Sequence, residues 1–442
     1  MKKITRRKFN KLLGYLSAFS TLETVTGYPT PLFAAKLRVA VIGGGFGGAT
    51  AAKYLRMLSP NLEVTLVEPQ RFYYTCPFSN LVIGGHKDLS ELTYGYDNLH
   101  KKYGINVIEA TAASLNTPKK KVILKDGKSF SYDRAIVSPG VDMRFDKMEG
   151  YNLNIVNKIP HAWKAGRSTL LLKKQLSAMP DGGTVLICPP DNPYRCPPGP
   201  YERASLIAHY LKQHKPSSKI LILDAKEQFA KQALFTSGWE QLYGHMIEWF
   251  PRSAGGKILR VDAKGMNVET EFGSEKGDVI NFIPDQWAGR IAHESGLVDE
   301  SGWCPVDQRT FESKIHPGIH VIGDAAIAGP MPKSGLSASS QAKSTATAVI
   351  DMLNNKKPET TTLANTCYSF LSPEYAISVA AVYNLSGNKI VKVEGSGGVS
   401  PLNAKLSLRR KEAKYAQGWY DSITNDMFGS VSYTHLTLPT KA

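Results

Sequence analysis

The sequence predicts an α/β fold, and three observations carry that prediction. A compact apolar run from Leu37 to Ile42 leads into Gly43-Gly44-Gly45-Phe46-Gly47-Gly48, and Ala49 to Leu58 continues as a helix. A second strand–helix–strand pattern begins near Gly183, with strands at 184–187 and 219–223 around a helix at 201–211. From about Cys367 onward, strand-like and helical stretches mix. This order fits two Rossmann-like units followed by a smaller α+β domain. The expected boundaries are 36–150 together with 290–350 for the first unit, 151–289 for the second, and 351–429 for a C-terminal interface domain.

Composition agrees with this scheme. The chain has 442 residues, 42% hydrophobic and 21% charged, which suits a globular protein of two or three domains. The formal charge is +16. Lys2, Lys3, Arg6, Arg7, Lys8 and Lys11 against Glu23 place +5 of that in residues 1–35. The remaining positive field favours anions or an acidic partner protein. No basic stripe interleaved with aromatics exists, so nucleic acid is not an expected partner. Lys119-Lys120-Lys121 and Arg409-Arg410-Lys411 read as solvated turns or helix faces.

The first 35 residues read as an export signal. Thr5-Arg6-Arg7-Lys8-Phe9 precedes an apolar stretch from Leu12 to Leu22, and Ala34-Ala35 closes it. The apolar stretch is too short to span a bilayer, and no later run reaches the length of a transmembrane helix. The expected destination is the periplasm, by the twin-arginine route. The last residues, 430–442, follow a natural helix end at Phe428-Gly429 and read as a non-native tail.

Gly43, Gly45 and Gly48 form a G-x-G-x-x-G fingerprint between strand and helix. The first glycine permits the tight turn and the second lets backbone approach a pyrophosphate. The third lets helix and strand pack closely. Phe46 and Gly47 open the helix, whose N-terminus favours phosphate. Glu68 stands twenty residues past Gly48, at the end of the next strand, where a carboxylate can bind ribose hydroxyls. NAD and FAD both satisfy these residues. Tyr132-Asp133-Arg134-Ala135-Ile136-Val137-Ser138-Pro139-Gly140 resembles the return segment of two-domain, disulfide-reductase-like flavoproteins. His320-Val321-Ile322-Gly323-Asp324-Ala325 resembles their second flavin motif. The resemblance implies FAD, with Gly140 and Gly323 in its turns and Asp324 on the ribityl chain.

The second unit lacks a glycine turn. Its first strand runs into Cys188-Pro189-Pro190-Asp191-Asn192-Pro193-Tyr194-Arg195-Cys196-Pro197-Pro198-Gly199-Pro200. Prolines remove backbone donors and fill the space of a pyrophosphate, so no nicotinamide nucleotide is expected there. Electrons must then reach the flavin from another donor.

Five cysteines are present: Cys76, Cys188, Cys196, Cys304 and Cys367. None shows zinc-site spacing or the C-x-x-C-H of an attached haem. Two readings fit the residues alone. One is a redox disulfide beside the flavin, opened by a nucleophilic sulfur species. The other is a set of core thiols or structural bridges.

Several longer segments go further. Tyr73-Tyr74-Thr75-Cys76-Pro77-Phe78-Ser79-Asn80, Arg195-Cys196-Pro197-Pro198-Gly199-Pro200-Tyr201-Glu202-Arg203 and Gly302-Trp303-Cys304-Pro305-Val306 resemble the flavoprotein subunit of flavocytochrome c sulfide dehydrogenase. So do Met331-Pro332-Lys333-Ser334-Gly335 and Asn365-Thr366-Cys367-Tyr368-Ser369. The resemblance spans about 36–429. It implies FAD held covalently through Cys76 and a redox-active disulfide between Cys196 and Cys367. Glu202 is then a candidate acid/base, while Lys333 and Trp419 fall near the flavin. Cys304 and Cys188 read as structural. Sulfide would be the substrate, and a separate cytochrome c subunit with one haem or two would take the electrons. Pro77-Phe78 after Cys76 departs from the family pattern.

Tyr415, Trp419, Ile423 and Met427 recur every four residues and predict one C-terminal helix with a buried face. A sulfide:quinone oxidoreductase shares the fold and is the nearest rival. The charges of that helix (Arg409, Arg410, Lys411, Lys414, Asp421 and Asp426) suit a soluble interface better than a membrane. A non-catalytic flavoprotein that carries bound sulfur is a rival of another class.

Overall fold

The computed structural model describes residues 36–429. The expected export signal at 1–35 and the expected tail at 430–442 lie outside the described residues. The chain opens with β1 (Arg38–Ile42), α1 (Phe46–Leu58) and β2 (Glu63–Glu68), followed by β3 (Asn106–Glu109) and β4 (Arg134–Val137). The strands β1, β2 and β4 are apolar on both faces: Ala40, Val41, Leu66, Val67, Ala135 and Ile136 are all buried. A strand covered on both sides takes this composition in a parallel sheet.

The chain then builds a second sheet. It contains β5 (Thr184–Cys188), α2 (Gly199–His214), β6 (Lys219–Leu223), α3 (Gln232–Tyr243), β7 (Ile247–Phe250) and β8 (Val279–Phe282). Their order is β7-β6-β5-β8, all parallel. The chain returns as β9 (Ile319–Val321), which completes the first sheet in the order β9-β4-β1-β2-β3, also all parallel. The second sheet thus interrupts the first along the chain.

Helix α4 (Gly335–Leu353) packs on α1. Small residues line the contact: Ala49 and Ala52 on α1, Ala338, Ala342 and Ala346 on α4, all buried. Small side chains let two helices approach closely at full packing density. Beyond α4, β10 (Leu363–Ser372) and β11 (Tyr375–Ser386) form a long antiparallel hairpin, and α5 (Leu406–Phe428) lies against it.

Two expectations for α5 need correction. Its buried side is Arg409, Glu412, Ala413, Ala416, Tyr420, Ile423, Thr424 and Met427, whereas Tyr415 is 57% exposed. A strict four-residue repeat drifts about 40° per step on a helix, so Tyr415 and Met427 cannot share a narrow face. Arg409, expected on a solvated face, is 1% exposed. Its guanidinium donates to the Pro401 and Leu402 carbonyls and to Glu412, and so ties α5 to the preceding loop.

Candidate active site

The β1–α1 turn has almost no room for side chains. Gly43 has φ of +97°, and a Cβ there would lie 2.3 Å from the Ser138 carbonyl oxygen. A Cβ on Gly48 would lie 1.7 Å from the Gly43 oxygen, so helix and strand are in backbone contact. No side chain caps the N-terminus of α1. Glu68, at the end of β2, accepts hydrogen bonds from the Gly44 amide (2.7 Å) and the Gln70 amide (3.0 Å). Burial raises its pKa, and the two amides oppose the shift.

These residues open onto a cleft of about 1280 Å³. Its lining includes Glu68 and Thr111, Gly43, Gly45, Phe46 and Gly47 of the turn, and Cys76 and Arg195. Gly140, Gly323 and Asp324 also line it, as do Gly335 and Ala338 from the first turn of α4. Gly323-Asp324 lie in a single 3₁₀ turn, and the helix that follows, α4, starts at Gly335. One oxygen of Asp324 is buried without a hydrogen-bond partner. A buried carboxylate oxygen needs a donor, and the cleft is where a bound molecule can supply one. A cleft of this size with an open helix N-terminus, the Glu68 carboxylate on its wall and this orphaned oxygen fits FAD.

Cys76 lies on the cleft wall, its Sγ 3.6 Å from the Trp163 carbonyl oxygen. The unusual Pro77-Phe78 step has a physical role. Phe78 adopts φ of +72° and stacks on Tyr420 of α5 at 4.2 Å, while Tyr420 OH meets Thr75 Oγ1 at 2.7 Å. The Cys76 loop is thereby fixed to the C-terminal helix from both sides.

Cys196 and Cys367 come together from distant parts of the chain. Cys196 sits just before α2 with φ of +57°, its amide donating to the Lys333 carbonyl (2.8 Å). Cys367 is in the middle of β10, and its Sγ is 3.5 Å from Asn365 Oδ1. Both are free thiols in the structure, as are Cys76, Cys188 and Cys304. Burial raises the Cys196 pKa, and the charges of Glu202 and Cys367 add to it. Burial also raises Cys367, but Lys231 and the hydrogen bonds of Asn365 and Ser334 oppose it.

Glu202 occupies the first turn of α2 beside this pair. Its carboxylate accepts from Asn80 Nδ2 (2.8 Å) and from the Phe370 amide of β10 (2.8 Å). Burial raises its pKa against these donors. It can therefore hold or release a proton next to the sulfurs.

Sequence reasoning missed three cations. Arg195 lines the cleft. Burial opposes its charge, but Cys76, Asp324 and Tyr73 facing it raise its pKa above the usual value. It stands where the cleft meets the thiol pair. Arg203 is fully buried; it bonds Asn80, Asn281 and the His161 and Ala162 carbonyls, which fixes the loop leading to Trp163. Lys231 donates to Ser369 Oγ (2.8 Å) next to Cys367. Arg195 and Arg203 fall inside a segment already singled out, whereas Lys231 has no local signal.

Two expected flavin contacts lie elsewhere. The cleft lining does not include Trp419. Helix α5 turns it instead into a separate hollow of about 440 Å³ with Lys53, Leu336, Lys343 and Asp426. Lys333 does not line the cleft either. Its ammonium donates to the Asp324 carbonyl (2.6 Å) and the Ala326 carbonyl (3.3 Å), 3.7 Å from the centre of the Trp303 ring. It braces the Asp324 turn from behind, and burial lowers its pKa to about 8. Cys304 is buried nearby, pushed up to about 12 by burial. Cys188 is fully buried in β5, and burial pushes it up as well.

The second unit keeps the topology but not the space. Asp224, at the end of β6, is fully buried. It accepts from Tyr201 OH (2.5 Å), Trp249 Nε1 (3.0 Å) and Lys226 Nζ (2.6 Å). Lys226 also donates to the Pro190 carbonyl, and Tyr201 stacks on Phe229 at 3.7 Å. Side chains thus fill the crevice that a nucleotide would need.

Comparison with known proteins agrees with this layout. Residues 37–174 match the family described as pyridine nucleotide-disulphide oxidoreductase. Residues 169–284 match the sulfide dehydrogenase (flavocytochrome c) flavoprotein chain, central, and residues 359–428 match the flavocytochrome c sulphide dehydrogenase flavin-binding family. The chain is 67% identical over 45 residues to the sulfide dehydrogenase (flavocytochrome c) flavoprotein chain of Chlorobaculum thiosulfatiphilum, covering 10% of this chain and 94% of that one. It is 23% identical over 311 residues to the mitochondrial sulfide:quinone oxidoreductase of Mus musculus, spanning 65% of each. The solved sulfide:quinone oxidoreductase of Aquifex aeolicus superposes with a TM-score of 0.71 at 16% identity, covering 90% of this chain and 93% of that one, and shows the shared fold.

Proposed function

Because the chain belongs to the sulfide-oxidising flavoproteins, we propose that it oxidises sulfide at Cys196 and Cys367 and delivers the electrons through FAD to a cytochrome c partner. The observation that carries this reading is the half-buried thiol pair with Glu202 beside it, where Arg195 joins it to the cleft. With the pair oxidised to a disulfide, hydrosulfide attacks one sulfur. The Cys196–Cys367 bond breaks and a new S–S bond forms. One cysteine becomes a persulfide, and the other leaves as a thiolate. Glu202 takes the proton of the incoming species, and Arg195 draws the anion towards the pair. FAD, when bound, accepts two electrons and passes them on singly. A second hydrosulfide attacks the outer persulfide sulfur; the persulfide S–S bond breaks, the two sulfide sulfurs leave together as a polysulfide, and that cysteine returns as a thiolate. The two cysteine sulfurs then rejoin as the disulfide, and the two electrons they lose are those that FAD would take.

The same reading includes covalent attachment of the flavin through Cys76, supported by the place of Cys76 on the cleft wall. The filled second crevice argues against NAD(P)H as donor. In this reading the arginine pair and apolar stretch of residues 1–35 serve as an export signal to the periplasm, where a cytochrome subunit with one haem or two would receive the electrons. Two of the named relatives, the sulfide:quinone oxidoreductases, point to a second acceptor, quinone. No described helix is long and apolar enough to cross a membrane. Anaerobic mixing of the sulfide-reduced protein with cytochrome c or with a soluble quinone separates the two. Reoxidation of the flavin by cytochrome c alone is the expected result, and reoxidation by quinone alone overturns the cytochrome assignment. Mass spectrometry under denaturing conditions tests the linkage: FAD is expected to stay on the Cys76 peptide.

A further inference from the structure

The residues around Cys367 are not symmetrical with those around Cys196. Strand β10 alternates its side chains, so Asn365, Cys367 and Ser369 share one face. Lys231 reaches that face from the turn before α3, with its ammonium 2.8 Å from Ser369 Oγ. It does so from a left-handed backbone, φ +62°. That conformation is unfavourable for a non-glycine residue, and such strain persists where the surroundings over-determine it. Lys231 forms no ion pair within salt-bridge distance among the described residues. Its charge instead faces Cys367, Glu202, Cys196 and, from α5, Glu412.

The other groups facing Cys367 do not supply a cation. Glu202 is acidic, and Tyr383 on the neighbouring strand β11 is neutral. Arg195 faces Cys196 and the cleft rather than Cys367. Glu412 already bonds Arg409, Ser378 and Ser400.

We propose that Lys231 is the positioning cation of the thiol pair, holding Cys367 as the thiolate when the disulfide opens. This rests on the sulfide-oxidising reading and adds a residue to it. In the step above, Cys367 is then the sulfur released as an anion, and Cys196 receives the sulfide sulfur. Ser369 aims the ammonium, and Asn365 with Ser334 completes the polar face (Ser334 Oγ to Asn365 Oδ1, 2.6 Å).

The test uses the flavin-loaded protein, reduced under anaerobic conditions. The rate of iodoacetamide alkylation at Cys367 is followed against pH by peptide mass spectrometry, with Cys196 as internal reference. Lys231→Met is expected to move the Cys367 midpoint up by about one pH unit, about tenfold slower alkylation below it, with a smaller change at Cys196. Lys231→Arg is expected to restore most of the shift. If Lys231→Met fails to hold flavin, Ser369→Ala decides, with a smaller upward shift expected. Superposable Cys367 curves for the variants and the parent overturn the proposal, as does an equal shift at both cysteines. Alkylation needs no sulfide. A parent protein whose flavin ignores sulfide would therefore overturn the functional reading while leaving the Lys231 result intact.

Discussion

The two parallel sheets of this protein share a plan and differ in what fills their crevices. In both, an acidic residue ends the second strand of the unit: Glu68 on β2 and Asp224 on β6. Glu68 bonds only backbone amides and lines the cleft. Asp224 is held by a tyrosine, a tryptophan and a lysine and is sealed. The first β–α turn is made of glycines, and the corresponding turn of the second unit is built from prolines that lead to Cys196. Topology supplies a crevice at the strand ends, and local side chains determine whether a ligand can enter it. In the second unit the same position has become the support for a thiol, so the two crevices no longer do the same work.

This contrast can be tested by substitution. The largest effect is expected from Cys196→Ser or Cys367→Ser, which should slow sulfide-driven flavin bleaching by about three orders of magnitude or more, read by stopped-flow absorbance. The flavin itself should remain bound in both variants. Next comes the first crevice. Gly48→Val puts carbon atoms on top of the Gly43 carbonyl, and the purified chain should lose its flavin absorbance. In the second crevice, Asp224→Ala leaves the Lys226 ammonium buried without its carboxylate. The expected cost is about 3–5 kcal/mol in urea unfolding, with no gain of NADH binding by fluorescence.

The smallest effect concerns pH. Burial holds His161 neutral, lowering its pKa from 6.5 to about 4. Its Nδ1 accepts from the Trp163 amide at 2.9 Å. A depressed folded pKa gives stability that is present above the unfolded value and lost as pH falls through the folded one. Stability should therefore decline between pH 6.5 and about 4, by on the order of 3 kcal/mol. His161→Asn should flatten that slope in unfolding curves taken across the window.

What could be read from the sequence follows from the range of each interaction. Gly43, Gly45, Gly48 and Glu68 encode a turn and its ligand within thirty residues, and the cleft lies where they point. The prolines after Cys188 encode an obstruction just as locally. Lys231 and the burial of Arg409 are set by packing between segments remote in sequence, and no local pattern marks them. Trp419 was misplaced because helical spacing gives a face but not what lies opposite it, and here a hollow beside α1 and α4 lies opposite. Lys333 was placed near the flavin, but its ammonium turns to backbone carbonyls behind Asp324.

The most direct test of the account is anaerobic stopped-flow absorbance of the flavin-loaded protein, mixed in turn with sulfide and with NADH. The account predicts rapid bleaching by sulfide, lost in Cys367→Ser, and no bleaching by NADH. A flavin that stays oxidised for minutes with sulfide, or that NADH reduces, would contradict it.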